Sequence, residues 1–136
     1  MSIPLNEATI IVVEDDPNSQ IIILDLLRIG GATQCYARKG VTSAVAFAER
    51  LPQVDLFLAD INMPQESGFD LLQIVRQHGK LHQAKVVAVT AGTLDKDIQK
   101  VRELGFDGFI GKPLNPRSFA QQVQDILNGE AVWYWR

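Results

Sequence analysis

The chain has 136 residues, of which 46% are apolar and 21% are charged, and its formal net charge is −3. These values are ordinary for one globular domain, and they exclude a chain that is disordered over most of its length. The negative charge provides no cationic field for nucleic acid or an anionic membrane. The single cysteine, Cys35, excludes an internal disulfide and a multi-cysteine zinc site. The apolar runs are too short to span a bilayer and no secretory signal is visible, so we expect a cytoplasmic protein.

Short apolar runs alternate with helical patterns along the whole chain. The runs IIVV, LFLA and VVAV are apolar at successive positions, which is typical of strands covered on both faces of a parallel sheet. Predicted strands lie at Thr9–Val13, Thr33–Ala37, Leu56–Ala59, Val86–Val89 and Gly108–Ile110.

The predicted helices lie between and after these strands. Asp16 caps the first helix, which begins at Pro17 and ends at the glycine pair 30–31, and Asn115 caps the fifth. The second to fourth are predicted at about Thr42–Leu51, Phe69–His78 and Asp95–Leu104, and the fifth runs from Pro116 to near Asn128. Five βα units with right-handed crossovers predict an α/β fold, a five-stranded parallel sheet with helices on both faces.

Polar residues follow four of these strands at the point where each strand ends. Glu14 and Asp15 follow the first strand, Asp60 the third, Thr90 the fourth, and Lys112 comes shortly after the fifth. Because the carboxyl ends of parallel strands share one edge, and ligands of such sheets bind outside that edge, we expect these side chains to meet.

Carboxylates gathered in this way repel one another. Two of them about 5 Å apart repel by roughly 3 kcal/mol at an effective dielectric constant of 20. Lys112 offsets only one charge, so the composition of the site favours a bound Mg²⁺. Beside such an ion, the carboxylate of Asp60 could attack phosphorus to form an acyl phosphate, with Lys112 and Thr90 on the phosphoryl oxygens.

With these motifs in place, the sequence resembles a response-regulator receiver domain over about residues 9–127. The matching pieces are VVEDDP around Asp15, DINMP from Asp60 with Gly68 eight residues later, VTA around Thr90, GFDGF from Gly105, and the pair Lys112-Pro113. Each piece falls at a predicted strand end or turn, and all five occur in order. The resemblance implies a flavodoxin-like strand order, 2-1-3-4-5.

The resemblance also implies a role for each site residue. Asp60 is then the phosphoacceptor and, with Glu14 and Asp15, a ligand of the metal. The backbone carbonyl of Asn62 completes the metal ligands, Thr90 is the switch hydroxyl, and Lys112 pairs with phosphoryl oxygens. Phe109 takes the place of a switch aromatic, with simple core packing as its alternative, and the Lys112-Pro113 peptide bond is implied to be cis.

The function that follows is a phosphoryl-accepting signalling switch that acts by protein contact and is not itself an enzyme. No output domain fits into 136 residues. The implied partners are a sensor histidine kinase or phosphotransfer protein, and a downstream protein that contacts helix four, strand five and helix five (about 96–102, Phe109 and 121–124). A homodimer is left open.

Three alternatives stand beside this function. An unphosphorylated pseudo-receiver scaffold would keep the fold alone. An aspartyl-nucleophile phosphatase would need a second aspartate as general acid where this chain has Asn62. A flavin-binding module would need phosphate donors where this chain has Glu14, Asp15 and Asp16.

The last segment of the chain is the least typical one. We divide the chain into a receiver domain, residues 1–129, and an aromatic tail, residues 130–136, that contains Trp133, Tyr134 and Trp135. Full exposure of these aromatic side chains would be costly. The tail therefore either folds back on its own domain or docks on a partner or a second copy, with a membrane-interface anchor as the least favoured reading.

Overall fold

A single parallel sheet with helices on both faces organises the chain. The structure, a computed structural model, describes residues 2–91, 95–130 and 132–134, without the side chains of residues 95, 96 and 134. The elements are, in chain order, β1 (Thr9–Val13), α1 (Pro17–Ile29), β2 (Gln34–Arg38), α2 (Val41–Arg50), β3 (Leu56–Ala59), α3 (Gly68–Gln77), β4 (Lys85–Thr90), α4 (Asp95–Leu104), β5 (Gly108–Gly111), α5 (Phe119–Leu127) and β6 (Val132–Tyr134).

The strand order is β2-β1-β3-β4-β5-β6, and every neighbouring pair is parallel. The α/β fold and the order 2-1-3-4-5 are thereby confirmed for the five strands that the sequence predicts. β1 and β3 begin and end at the predicted residues, because every position of both strands is buried and their apolar runs have no gap.

The sheet separates two apolar cores. One core joins residues of β1 and β3 to α2, α3 and α4, and its largest side chains include Phe57 and Phe109. The other joins the opposite face of the sheet to α1 and α5 and includes Phe119 and Leu27. Cys35 is 5% exposed in this second core, so its predicted burial is confirmed. Both cores hold the carboxyl edge of the central strands in a fixed position.

The ends of β2, α2, α3, β4 and β5 lie within one residue of the predicted ends, and two features differ by more than that. The helix predicted to begin at Pro116 begins instead at Phe119. Asn115 caps a separate turn, because its side chain accepts a hydrogen bond from the backbone N–H of Arg117, and its carbonyl accepts from Ser118 and Phe119. The second difference is β6, a sixth strand formed by Val132–Tyr134 of the predicted tail. The other tail residues Ala131, Trp135 and Arg136 lie outside the described residues.

Among the described residues, no helix has the length and apolar composition needed to cross a bilayer.

Candidate functional site

The ends of β1, β3, β4 and β5 bring the predicted site residues to one edge of the sheet. The backbone N–H of Asp60 donates to the carbonyl of Val13 at 3.1 Å, which sets Asp60 beside Glu14. The N–H of Lys112 donates to the carbonyl of Thr90 at 2.9 Å. Parallel pairing of buried strands thus places four residues that are distant in sequence beside one another.

Three carboxylates meet at this edge. Glu14, Asp15 and Asp60 each offer one oxygen atom, and these atoms lie within 4.8 Å of one another. Their environments differ, because Glu14 is buried, Asp60 is intermediate and Asp15 is exposed. Carboxylate oxygens are the ligands that hard divalent cations prefer, and the exposed Asp15 leaves one side of the cluster open.

Lys112 is the cation at this cluster. Its Nζ forms an ion pair with Glu14 Oε1 and lies 3.4 Å from Asp60 Oδ2. Three ionised carboxylates and one ammonium leave two negative charges in excess. The site residues therefore retain an attraction for a cation that their own lysine does not satisfy.

Burial and charge interactions shift the pKa of Glu14 in opposite directions, and they do the same to the pKa of Lys112. Burial raises the pKa of the Glu14 carboxyl, and the ammonium of Lys112 lowers it by a smaller amount. Burial alone would lower the pKa of Lys112, but hydrogen bonding and charge interactions with Glu14 and Asp60 outweigh it and raise that pKa. Lys112 consequently stays protonated beside the carboxylates.

The side chain of Asn62 contacts Thr90 across the mouth of the site. Asn62 Nδ2 donates to Thr90 Oγ1 at 2.7 Å, and the backbone N–H of Asn62 donates to Asp60 Oδ1 at 2.8 Å. Thr90 is fully buried. The family resemblance implies a role only for the backbone carbonyl of Asn62, so the hydrogen bond from its side-chain amide to the hydroxyl of Thr90 was not predicted.

Gly68 fixes the backbone of Asp60 from the side of α3. Its N–H donates to the Asp60 carbonyl at 3.0 Å. A Cβ atom at position 68 would lie 2.9 Å from Ile61 Cγ2 and 3.2 Å from the Asp60 carbonyl oxygen. Only glycine lets α3 begin so close to the strand end that carries Asp60.

Two neighbours of the cluster complete its frame. Asp16 caps α1, since its Oδ2 accepts from the N–H of Ser19 at 3.2 Å, as the sequence predicts. Gln20, a residue that was not predicted to take part, donates from Nε2 to the carbonyl of Glu14 at 2.6 Å. No short motif marks such a contact, because it depends on how α1 lies against the end of β1.

Phe109 points into the core and is fully buried. Its burial is compatible with both readings of the sequence, a switch aromatic turned inward and an ordinary core residue. The Lys112-Pro113 peptide bond is cis, as the resemblance implies.

The comparison with known families identifies the family of the chain. The family model of the response regulator receiver domain matches residues 10–124. This chain belongs to that family. It is a receiver-domain response regulator of two-component signalling. The family match and the curated relatives thus confirm the family and the general function that the sequence predicts.

Individual relatives of this receiver domain agree with the family match. The polar-differentiation response regulator DivK of Brucella anthropi is 27% identical over 119 residues, which is 88% of this chain and 95% of DivK. The receiver domain of a signal transduction histidine kinase from Syntrophus aciditrophicus is 27% identical, with a TM-score of 0.77 and coverage of 90% and 91%.

The chemotaxis response regulator CheY4 of Vibrio cholerae has the same fold. It is 23% identical to this receiver domain, with a TM-score of 0.78, and the match covers 88% of this chain and 98% of CheY4.

Proposed function

We propose that this receiver domain accepts a phosphoryl group on Asp60 in a reaction that requires Mg²⁺, and that the modified domain signals by protein contact. The convergence of Glu14, Asp15, Asp60 and Lys112 at one sheet edge carries this proposal. A carboxylate that is held next to both a lysine and a metal-binding cluster is the arrangement that phosphoryl transfer to an aspartate requires.

Asp60 is the acceptor in this proposal. One of its carboxylate oxygens forms a bond to phosphorus, while the bond from phosphorus to the donor breaks and the donor leaves with that electron pair. The backbone N–H of Asn62 on Oδ1 and the ammonium of Lys112 near Oδ2 orient the carboxylate. Lys112 and Thr90 then bind phosphoryl oxygens as negative charge develops there.

The residues present fit Mg²⁺. The donors are oxygens only, the cluster keeps excess negative charge beside Lys112, and Asp15 leaves it accessible from solvent. Glu14, Asp15 and Asp60, with the backbone carbonyl of Asn62, would hold the ion. When bound, it supplies positive charge that neutralises the carboxylates and the incoming phosphoryl group.

Partners follow from this chemistry. The donor is a phosphohistidine of a sensor kinase or of a phosphotransfer protein, and the receiver is a phosphoacceptor that assists its own phosphorylation and dephosphorylation. The downstream protein contacts the face of α4, β5 and α5. The proposed setting is the cytoplasm, where such kinases present their phosphohistidine.

Phosphatase activity is the less favoured alternative. A general acid two residues after the nucleophile would be required, and Asn62 has no carboxyl proton to give. Its amide instead donates to Thr90.

The test is incubation with acetyl phosphate and Mg²⁺, followed by intact-mass measurement. The wild type should gain one phosphoryl group, Asp60→Asn should gain none, and chelation of Mg²⁺ should abolish the gain. Asp25→Asn, which removes an exposed carboxylate on α1, is the matched control and should behave as wild type. A wild type that stays unmodified would identify a pseudo-receiver, and equal modification of Asp60→Asn would place the acceptor elsewhere.

A further inference from the structure

The outer edge of β5 is filled by a segment of the same chain. β6 pairs with β5 in parallel, with Gly108 opposite Val132, Phe109 opposite Trp133 and Ile110 opposite residue 134. Without this segment β5 would present unpaired backbone N–H and C=O groups, which is what an incoming strand pairs with. The edge is therefore competent to bind an extended peptide.

Gly108 makes room for the backbone of β6. A Cβ atom at position 108 would lie 2.9 Å from the carbonyl oxygen of Val132 and 3.1 Å from Ile126 Cδ1. Any side chain at this position would force β6 or Ile126 to move, since backbone atoms of a paired strand cannot yield as a flexible side chain does.

The two faces of β6 pack against different parts of the domain. Val132 is 3% exposed and joins the core formed with α1 and α5. Trp133 packs against the opposite core, on the side of Phe109, and the guanidinium carbon of Arg102 lies 4.7 Å from the centre of its ring. A small apolar residue followed by an aromatic residue thus matches two different environments.

A helix-ending turn directs this segment to the edge. Gly129 has a φ of +90°, its N–H donates to the Ile126 carbonyl, and the N–H of Glu130 donates to the Asp125 carbonyl, each at 2.9 Å. This pair of hydrogen bonds is a Schellman motif, in which glycine adopts the left-handed conformation at low cost. The turn sends the chain back along the sheet next to β5.

We propose that the edge of β5 from Gly108 to Ile110, together with Arg102, is a binding site for an extended apolar–aromatic peptide strand, and that Val132–Tyr134 is its resident occupant. Main-chain pairing supplies affinity at such sites, and alternating side chains supply specificity. This inference goes beyond the proposed function. Because β6 lies beside β5 on the face assigned to downstream partners, a partner strand binds there only after β6 leaves.

The experiment uses the full chain and a fluorescein-labelled peptide of residues 130–136. Val132→Asp puts a charge at a buried position of β6 and leaves β5 and Arg102 unchanged. We expect the peptide to bind this variant at least about tenfold more tightly than wild type, measured by fluorescence anisotropy, because the resident strand no longer competes from within the molecule. Adding Gly108→Ala to Val132→Asp should abolish the gain.

A second measurement follows the resident strand itself. Gly108→Ala alone should raise the rate of chymotryptic cleavage after Trp133 at least about tenfold, because an occluded strand must open before it is cut. The matched control is Gly79→Ala, where a Cβ atom meets nothing within 4 Å, and its rate should equal that of wild type.

The outcomes that overturn the inference are specific. Equal peptide affinity for wild type and Val132→Asp, full affinity in the variant that also carries Gly108→Ala, or unchanged cleavage in Gly108→Ala would each reject it. Phosphorylation takes no part in these assays, so their failure is distinct from a failure to phosphorylate Asp60.

Discussion

Replacing Lys112 with alanine should strongly destabilise the fold when Mg²⁺ is absent. Lys112 forms ion pairs with Glu14, which is 2% exposed, and with Asp60 at 3.4 Å. The substitution leaves a buried carboxylate next to two others without their counter-charge. Removing one partner of a buried pair costs more than the pair contributes, because the remaining charge stays desolvated.

The magnitude follows from these contacts. At an effective dielectric constant of 20, two unit charges at the distance between Lys112 and Asp60 attract by about 5 kcal/mol before desolvation is counted. Measured losses for broken buried pairs are roughly 3–5 kcal/mol. The lysine side chain keeps 20% of its exposure, so we expect a loss of about 3 kcal/mol and, for a chain of this length, a fall in Tm of roughly 10 °C.

The assay is urea unfolding of wild type, Lys112→Ala, Glu14→Gln and the double variant, in chelator. Glu14→Gln should recover at least about half of the loss in the Lys112→Ala background, because it removes the uncompensated charge. Arg117→Ala, which also removes a cation but at an exposed position, is the control and should stay within about 0.5 kcal/mol of wild type. A stable Lys112→Ala variant, or additive effects in the double variant, would refute the reasoning.

Three further substitutions are tested in the same unfolding assay, two beside the site and one, Arg76, at the opposite edge of the sheet, where its partners precede β4 and β5. Gly68→Ala should lower the free energy of unfolding by about 1–3 kcal/mol, because its Cβ would press on Ile61. Its control, Gly79→Ala, should lower it by less than about 0.5 kcal/mol, and equal effects of the two substitutions would contradict the close approach at Gly68. Asn62→Ala should cost about 0.5–1 kcal/mol and shift the NMR signals of Thr90, and unchanged signals would reject the contact. Arg76→Ala should lower the free energy of unfolding by about 1–2 kcal/mol, because Arg76 pairs with Asp107 at 2.7 Å and donates to two backbone carbonyls. If Arg76→Lys were as stable as wild type, the result would contradict this geometry, since lysine cannot make these contacts together.

The sequence predicts most of the fold because the central strands are unbroken apolar runs. β1 and β3 are buried on both faces, so their unbroken apolar runs mark both ends. The predicted start of α5 was wrong because residues such as Asn115 and Pro116 can begin a turn as well as a helix. β6 has three residues and no periodicity, and its position depends on the space beside Gly108, which only the folded chain reveals.

The predicted site residues Glu14, Asp15, Asp60 and Lys112 meet because each follows a parallel strand, and strand ends can be read from sequence. The contact of Asn62 with Thr90 could not be predicted in this way. It depends on the path of the loop between β3 and α3 and on one side-chain rotamer, neither of which a residue pattern encodes. The metal-binding and phosphoacceptor roles of these residues stay predictions.

Calorimetric titration of Mg²⁺ into wild type, Asp15→Asn and Asp16→Asn tests the central claim most directly. Both variants lose one negative charge, but Asp15 lies in the carboxylate cluster, whereas Asp16 caps α1, a role that asparagine also fills. Asp15→Asn should lower the Mg²⁺ affinity at least about tenfold, which corresponds to about 1.4 kcal/mol, and Asp16→Asn by less than about threefold. Equal losses in the two variants, or no loss in either, would contradict a magnesium site built from the ends of β1 and β3.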